Sequence, residues 1–257
     1  IYEKGEYIKR DMNKAIHYFS LAANQNDASA QYSLGSIYEE GKYIKRDMSK
    51  AIYYFSLAAN QNYAAAQGNL GNIYYKGEYI KRDMKKAIHY YSLAANQNES
   101  NSQLVLGKYY LYGVYIQKSI NKAINYFYLA AEQGNNDARF LLGVIFSEGK
   151  YIKRDMNKAI HYYKDASSIN HSQAKNNLAM IYKNGFYIEK NLFYSIELLK
   201  EAVRLNDRLS MYNLSHLYFY EDEIDSNIET IIDLLLKSVL PPSYELLCIV
   251  LIKKYGK

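Results

Sequence analysis

A repeat constrains this chain more than any other feature. The string Tyr-Ile-Lys-Arg-Asp-Met starts at Tyr7, Tyr43, Tyr79 and Tyr151, and those starts differ by 36, 36 and 72 residues. The two remaining positions in register read Tyr-Ile-Gln-Lys-Ser-Ile from Tyr115 and Tyr-Ile-Glu-Lys-Asn-Leu from Tyr187. A period held without insertion marks a stack of one small unit. Such a unit cannot bury its apolar face alone, but neighbours in a stack can. The chain opens at Ile1, inside a unit, so it reads as a piece of a longer protein whose targeting is not readable.

Each column of the repeat has a local physical meaning. Gly5, Gly41, Gly77, Gly113, Gly149 and Gly185 end an apolar-periodic stretch, as a helix C-terminal glycine does. Asp11, Asp47, Asp83, Ser119, Asp155, Asn191 and Asn227 are all strong N-cap types, each placed before a run such as Met-Asn-Lys-Ala-Ile-His-Tyr-Phe. Asn26, Asn62, Asn98, Gly134, Asn170 and Asn206 tolerate the left-handed conformation that closes a helix. The unit therefore holds two helices. Helix A is expected from about Asp27 to Glu40, and helix B from about Met48 to Asn60.

Small residues recur where helices must approach closely. They include Gly35, Gly71, Gly107, Gly143, Ala179 and Ser215 on helix A, and Ala15, Ala51, Ala87, Ala123 and Ala159 on helix B. A glycine inside a helix costs about 1 kcal/mol against alanine, so its return at one position points to a neighbouring helix across it. Leu34, Leu70, Leu106, Leu142, Leu178 and Leu214 are expected to fill the core, together with Tyr38, Tyr74, Tyr110, Phe146, Tyr182 and Tyr218. The expected fold is all-α: a right-handed α/α superhelical solenoid of about seven helix-turn-helix repeats. The units run 1–26, 27–62, 63–98, 99–134, 135–170, 171–206 and 207–242. Pro241 and Pro242 are read as a break, after which 243–257 forms a C-terminal capping helix.

These columns resemble the Sel-1-like repeat, a relative of the tetratricopeptide repeat with a longer loop between its helices. The family pattern lands on Ala30, Leu34, Gly35, Tyr38, Gly41, Asp47, Lys50, Ala51, Tyr54, Phe55, Ala58 and Ala59, and returns in register to about residue 240. The family often has a second loop glycine; here Tyr7, Tyr43, Tyr79, Tyr115, Tyr151 and Tyr187 stand there. The resemblance implies adaptor roles, in which members bring partners together, often attached to other domains of a longer parent chain. It also implies that helix A lines a concave face.

Composition narrows the chemistry. Of 257 residues, 49% are hydrophobic and 23% charged, an ordinary globular balance. Cys248 is the single cysteine, which excludes an internal disulfide framework and a Cys-ligated zinc site; it is expected in the core. No apolar run approaches the ~18 residues that span a bilayer. His17, His89 and His161 share a column two units apart, too far to share a metal, and His171 and His216 fall in other columns. No nucleophile motif, phosphate loop or metal spacing is present. The expectation is a protein that is not an enzyme, takes no cofactor or metal, and works in an intracellular, cytoplasmic setting. The net charge of +6 permits acidic partners without demanding them.

The copies disagree most on helix A. One column runs Ser33, Asn69, Val105, Leu141, Asn177, Asn213; a second runs Ser36, Asn72, Lys108, Val144, Met180, His216; a third runs Tyr32, Gly68, Leu104, Phe140, Asn176, Tyr212. A face with polar ends and an apolar middle suits a protein or peptide partner. The expected anchors are Leu104, Val105, Phe140, Leu141 and Val144. Asn69, Asn72, Asn177 and Asn213 are expected to orient peptide backbone, with Lys108 and Met180 beside them. The alternative is a basic loop ridge meeting nucleic acid or an acidic surface through Lys9, Arg10, Lys45, Arg46, Lys81, Arg82, Lys118, Lys153, Arg154 and Lys190. Between the two, the protein partner is preferred.

Overall fold

The computed structural model describes residues 11–221 and 227–255. Gly5, Tyr7, Lys9 and Arg10 therefore lie outside the described residues. Among those described there are fourteen helices and no strands. The B helices are α1 (Met12–Asn24), α3 (Met48–Asn60), α5 (Met84–Asn96), α7 (Ile120–Glu132), α9 (Met156–Ser167), α11 (Leu192–Arg204) and α13 (Ile228–Ser238). The A helices are α2 (Ala28–Glu40), α4 (Ala64–Lys76), α6 (Ser100–Tyr112), α8 (Asn136–Glu148), α10 (Ser172–Asn184), α12 (Arg208–Tyr220) and α14 (Pro241–Tyr255). They fall into two compact units, 1–135 with α1 to α7 and 136–257 with α8 to α14. Among the described residues no helix is long and apolar enough to cross a membrane.

Local chemistry starts and stops each helix. Asp11, Asp47, Asp83, Ser119, Asp155, Asn191 and Asn227 each accept a backbone N–H from three residues ahead, at 2.8 to 3.4 Å. Each bond satisfies one of the four orphan donors of a B helix. The N–H of the same capping residue reaches back, as Asp47 N–H to Tyr38 O at 3.0 Å and Asp155 N–H to Phe146 O at 3.0 Å. That bond closes the loop between A and B. Gly41, Gly77, Gly113 and Gly185 end their A helices in the left-handed region, where a Cβ would be strained. Asn26, Asn62, Asn98, Asn170 and Asn206 hold the left-handed position in the turn from B to A, at φ between 57° and 66°. Tyr115 is the only described tyrosine of the loop column at positive φ, at 65°.

Within each unit an A helix packs most extensively on the B helix that follows it. Leu34, Leu70, Leu106, Leu142 and Leu178 are fully buried between them, and Ala51, Ala87, Ala123 and Ala159 are buried opposite. In the column of Tyr38, Tyr74, Tyr110, Phe146, Tyr182 and Tyr218, Phe146 is buried as expected, while the tyrosines are half-buried. A phenol ring keeps its polar end wet while its face packs. Tyr38 stacks on Tyr54, Tyr74 on Tyr90 and Tyr110 on Tyr126, with centroids 5.7 to 5.8 Å apart.

Two local expectations are corrected. The break falls just before the prolines, between Ser238 and Pro241, and the last helix starts at Pro241 and not at Ser243, because a first-turn proline loses no intrahelical hydrogen bond. Cys248 is exposed, not core. It lies two residues from both Leu246 and Val250, which are buried against α13, so helical phase turns it to the opposite side.

Candidate functional site

The buried seam between helices carries polar groups that hydrophobic periodicity does not announce. Gln31, Gln67 and Gln103 are each at most 1% exposed. Each donates from Nε2 to a carbonyl of the preceding B helix: Ala23, Ala59 and Ala95, at 3.2 to 3.3 Å. Each accepts at Oε1 from a glutamine thirty residues ahead, Gln61, Gln97 or Gln133, at 2.7 Å. The glutamine pairs tie helix A to the end of helix B inside one repeat, and the bonds to Ala23, Ala59 and Ala95 reach back to the repeat before. In the second unit the column changes to Lys175, which is buried and paired with Glu201.

Part of the basic stripe lies on aromatic rings. Arg46 sits 5.2 Å over Tyr79 and Arg154 5.3 Å over Tyr187; Arg82 lies over both Tyr75 and Tyr115. Lys50, Lys86, Lys122 and Lys158 lie 5.0 to 5.1 Å from the rings of Tyr38, Tyr74, Tyr110 and Phe146. Arg46, Arg82, Arg154 and the Lys50 column thus have a role within the fold through cation–π contacts.

On helix A of the first unit, Asn69 is half-buried and Asn72 exposed. Asn72 Oδ1 accepts the Tyr91 hydroxyl at 2.7 Å. Burial holds Tyr91 far above the usual phenol range and pushes Tyr109 up to about 12, with Tyr75 adding to the latter. Val105 is half-buried against a cluster built on Tyr91 and Leu106, and Lys108 is half-buried one turn further on. Asn69, Asn72 and Val105 line one recess of about 120 Å³. Leu104 is 7% exposed and offers almost no surface to a ligand.

In the second unit Phe140, Leu141 and Val144 are half-buried on α8. Phe140 stacks on His171 with centroids 4.6 Å apart. His171 caps α10 by accepting Ala174 N–H at Nδ1, 3.2 Å away, and its Nε2 lies 3.4 Å from Asp137. Burial lowers its pKa, and the Asp137 carboxylate opposes that. Asn213 donates to Asn176 Oδ1 at 2.7 Å, and Asn176 in turn donates to Asn177 Oδ1 at 3.4 Å. Those two amides are partly engaged within the fold. Met180 lines a separate recess with Ile181, Phe186 and Tyr187. Among the described residues no group of three His, Cys, Asp or Glu side chains is placed to hold a metal ion.

The family model described as Sel1 repeat matches residues 1–27, 28–63, 64–99, 100–135, 136–171, 172–207 and 208–230. Among solved structures, a protective antigen present in uropathogenic Escherichia coli strains, displaying an SLR fold, superposes with a TM-score of 0.84 at 26% identity. The match covers 99% of this chain and 55% of that one, so this chain spans about half the antigen's length. A Sel1 repeat protein from Oxalobacter formigenes superposes with a TM-score of 0.76 at 28% identity, over 84% of this chain and 86% of that one. No curated protein sequence matches significantly. Sel1-repeat proteins are in general protein-interaction scaffolds without catalysis. With the whole span from 1 to 230 matched in seven consecutive copies, the chain belongs to the Sel1 repeat family.

Proposed function

We propose that this chain is a non-enzymatic adaptor that binds a partner protein or peptide on the face lined by helix A of successive repeats. One observation carries the reading: a buried leucine column is fixed from copy to copy, while two columns of helix A that reach solvent are not. The leucine column from Leu34 to Leu178 is invariant and fully buried. The columns of Ser33 and Ser36 change in almost every copy, and their members are half-buried or exposed. Variation on accessible columns beside a fixed leucine core fits a scaffold carrying a variable binding surface. In the first unit Val105 supplies an apolar anchor, and Asn69 and Asn72 supply amides for a peptide backbone; in the second, Leu141 and Val144 supply anchors with Phe140 beside them on α8.

The test is affinity capture from native extract with nuclease present, alongside a variant carrying Val105→Asp, Leu141→Asp and Val144→Asp. Circular dichroism melting must show the variant folded. Proteins held by the wild type and released by the variant support the helix A face. Capture that vanishes with nuclease and ignores the variant moves the function to the basic loops.

A further inference from the structure

One turn of helix A breaks the pattern of its neighbours. The column of Tyr32, Leu104, Phe140, Asn176 and Tyr212 carries a side chain in every copy but one, where Gly68 stands. A Cβ at Gly71, one turn on, would lie 2.7 Å from the ring of Tyr91, so that glycine is demanded by packing. A Cβ at Gly68 would meet no ring. Its nearest neighbours would be Ser102 Oγ at 3.2 Å and Glu99 Oε2 at 3.3 Å. The missing side chain opens the recess of about 120 Å³ between α4 and α6.

The recess is a set of acceptors with one of them unused. Ser102 is 1% exposed, and its Oγ has no hydrogen-bond partner. It stands in a column that holds Ala30, Ala66, Ala138 and Ala174 elsewhere. The one other serine in that column, Ser210, has its hydroxyl bonded to Asp207 at 2.7 Å. A buried hydroxyl left unpaired is destabilising, and native folds keep few of them. Beside it Glu99 accepts Asn101 N–H at 3.1 Å and Ser102 N–H at 2.7 Å. The carboxylate thus occupies the positive end of α6, where an anion would otherwise be drawn. Each of its oxygens keeps a free lone pair. Asn69 and Asn72 flank this centre, and no lysine or arginine lines it.

A full carboxylate, an unpaired hydroxyl and two amides, with no cation among them, select a compact cation rich in donors. An ammonium has three donors and no acceptor. The volume equals about four water shares, enough for an ammonium head and the methylenes next to it. Val105 and the ring of Tyr32 at the edge suit an aliphatic stem. We propose that this recess takes the ammonium of a lysine side chain presented by a partner segment. The proposal rests on the helix A reading above and names the chemistry of one anchor point on it.

The test uses the whole chain and a defined probe, Nα-acetyl-lysine N-methylamide. The neutral control is the norleucine analogue, and inorganic phosphate is the anion arm. Amide shifts by ¹H–¹⁵N NMR at Gly68, Asn69 and 99–102 should saturate with the lysine probe and stay still with the other two. Glu99→Gln should weaken binding at least tenfold. Gly68→Ala should weaken it at least tenfold by placing a methyl against Ser102 Oγ and Glu99 Oε2, and Ser102→Ala should weaken it several-fold. Both variants are expected to melt no lower than wild type, because alanine favours a helix and already fills the Ser102 column elsewhere. Equal shifts from norleucine, preferential binding of phosphate, or unchanged lysine binding in Glu99→Gln would each overturn the inference. If the lysine probe fails while the triple Asp variant still releases partners, the recess is wrong and the scaffold face stands. If the probe binds but the triple variant captures as wild type does, the recess is a lysine site and the wider face is wrong.

Discussion

The ring of Phe127 fills the space that a side chain on Gly107 would need: a Cβ there would lie 2.5 Å from Phe127 Cε1. The same relation joins Gly35 to Phe55, Gly71 to Tyr91 and Gly143 to Tyr163, at 2.6 to 2.7 Å. Where the helix A column turns to Ala179 and Ser215, the facing column turns to Leu199 and Leu235. The two positions thus trade volume across one crossing. Gly107→Ala gains helix propensity of about 1 kcal/mol but must displace a fully buried ring. Overpacking costs about 1–3 kcal/mol, so a net loss of stability is expected in urea denaturation. Adding Phe127→Leu should recover part of that loss, with a coupling of about 1 kcal/mol in the double-mutant cycle. Strict additivity would mean the crossing does not limit packing.

The capping column yields a second expectation. Asp83 accepts Lys86 N–H at 3.0 Å in the first turn of α5. Asp83→Ala should cost about 1 kcal/mol, while Asp83→Asn should cost little, since the amide oxygen accepts the same bond. Thermal melts of the two variants separate capping from charge. An equal loss in both would assign the effect to the carboxylate's charge at the helix N-terminus.

The helices were legible because their causes are local. Asp47, Gly41 and Asn62 each act within a few residues of their own position, and six copies served as internal controls for each column. The Gly107–Phe127 exchange was also present in the sequence, twenty residues apart, but it needs the pairing of columns before it can be seen. Features set by a neighbouring helix were less legible. Leu104 shares a column with the half-buried Tyr32 yet is buried, because its exposure depends on what stands beside it in the next repeat. Gln31, Gln67 and Gln103 look like solvated polar residues until Gln61, Gln97 and Gln133 are brought against them. The recess at Gly68 needed three facts from two neighbouring repeats: an absent side chain, an unpaired hydroxyl and a carboxylate already seated on a helix end.

The glutamine pairs supply a third expectation. Gln67 is 0% exposed and holds two bonds, one to Ala59 O and one from Gln97. Methionine fills a similar volume and occupies the same column at Met211. Gln67→Met should therefore keep packing and lose both bonds, at a cost of about 1–3 kcal/mol for the two together, while Ala59 O still accepts Asn62 N–H at 3.0 Å and Gln97 Nε2 still reaches Leu93 O at 3.4 Å. Pairing it with Gln97→Met should cost less than the two singles together, because both singles remove the same Gln97–Gln67 bond. A cycle with no coupling would show that the two side chains act independently.

The last expectation concerns acid. His171 caps α10 with Nδ1 as an acceptor, so its proton in the neutral form is on Nε2, facing Asp137. Burial against Phe140 lowers its folded pKa below the usual histidine value, and Asp137 from α8 and Asp207 before α12 pull it back up. Because the folded pKa is the lower one, the unfolded chain takes up the proton first as pH falls. Stability contributed by this site is complete above the unfolded value near 6.5. It is lost as pH drops through that value towards the folded pKa, and the loss levels off below it. Protonation also places a hydrogen on Nδ1, where the Ala174 N–H now points, and so breaks the cap. His171→Asn keeps a capping oxygen and does not titrate. The gap in urea midpoint between wild type and His171→Asn should therefore shift against the wild type between pH 7 and pH 5. A gap that stays constant across that range would mean His171 is protonated equally in the folded and unfolded chain.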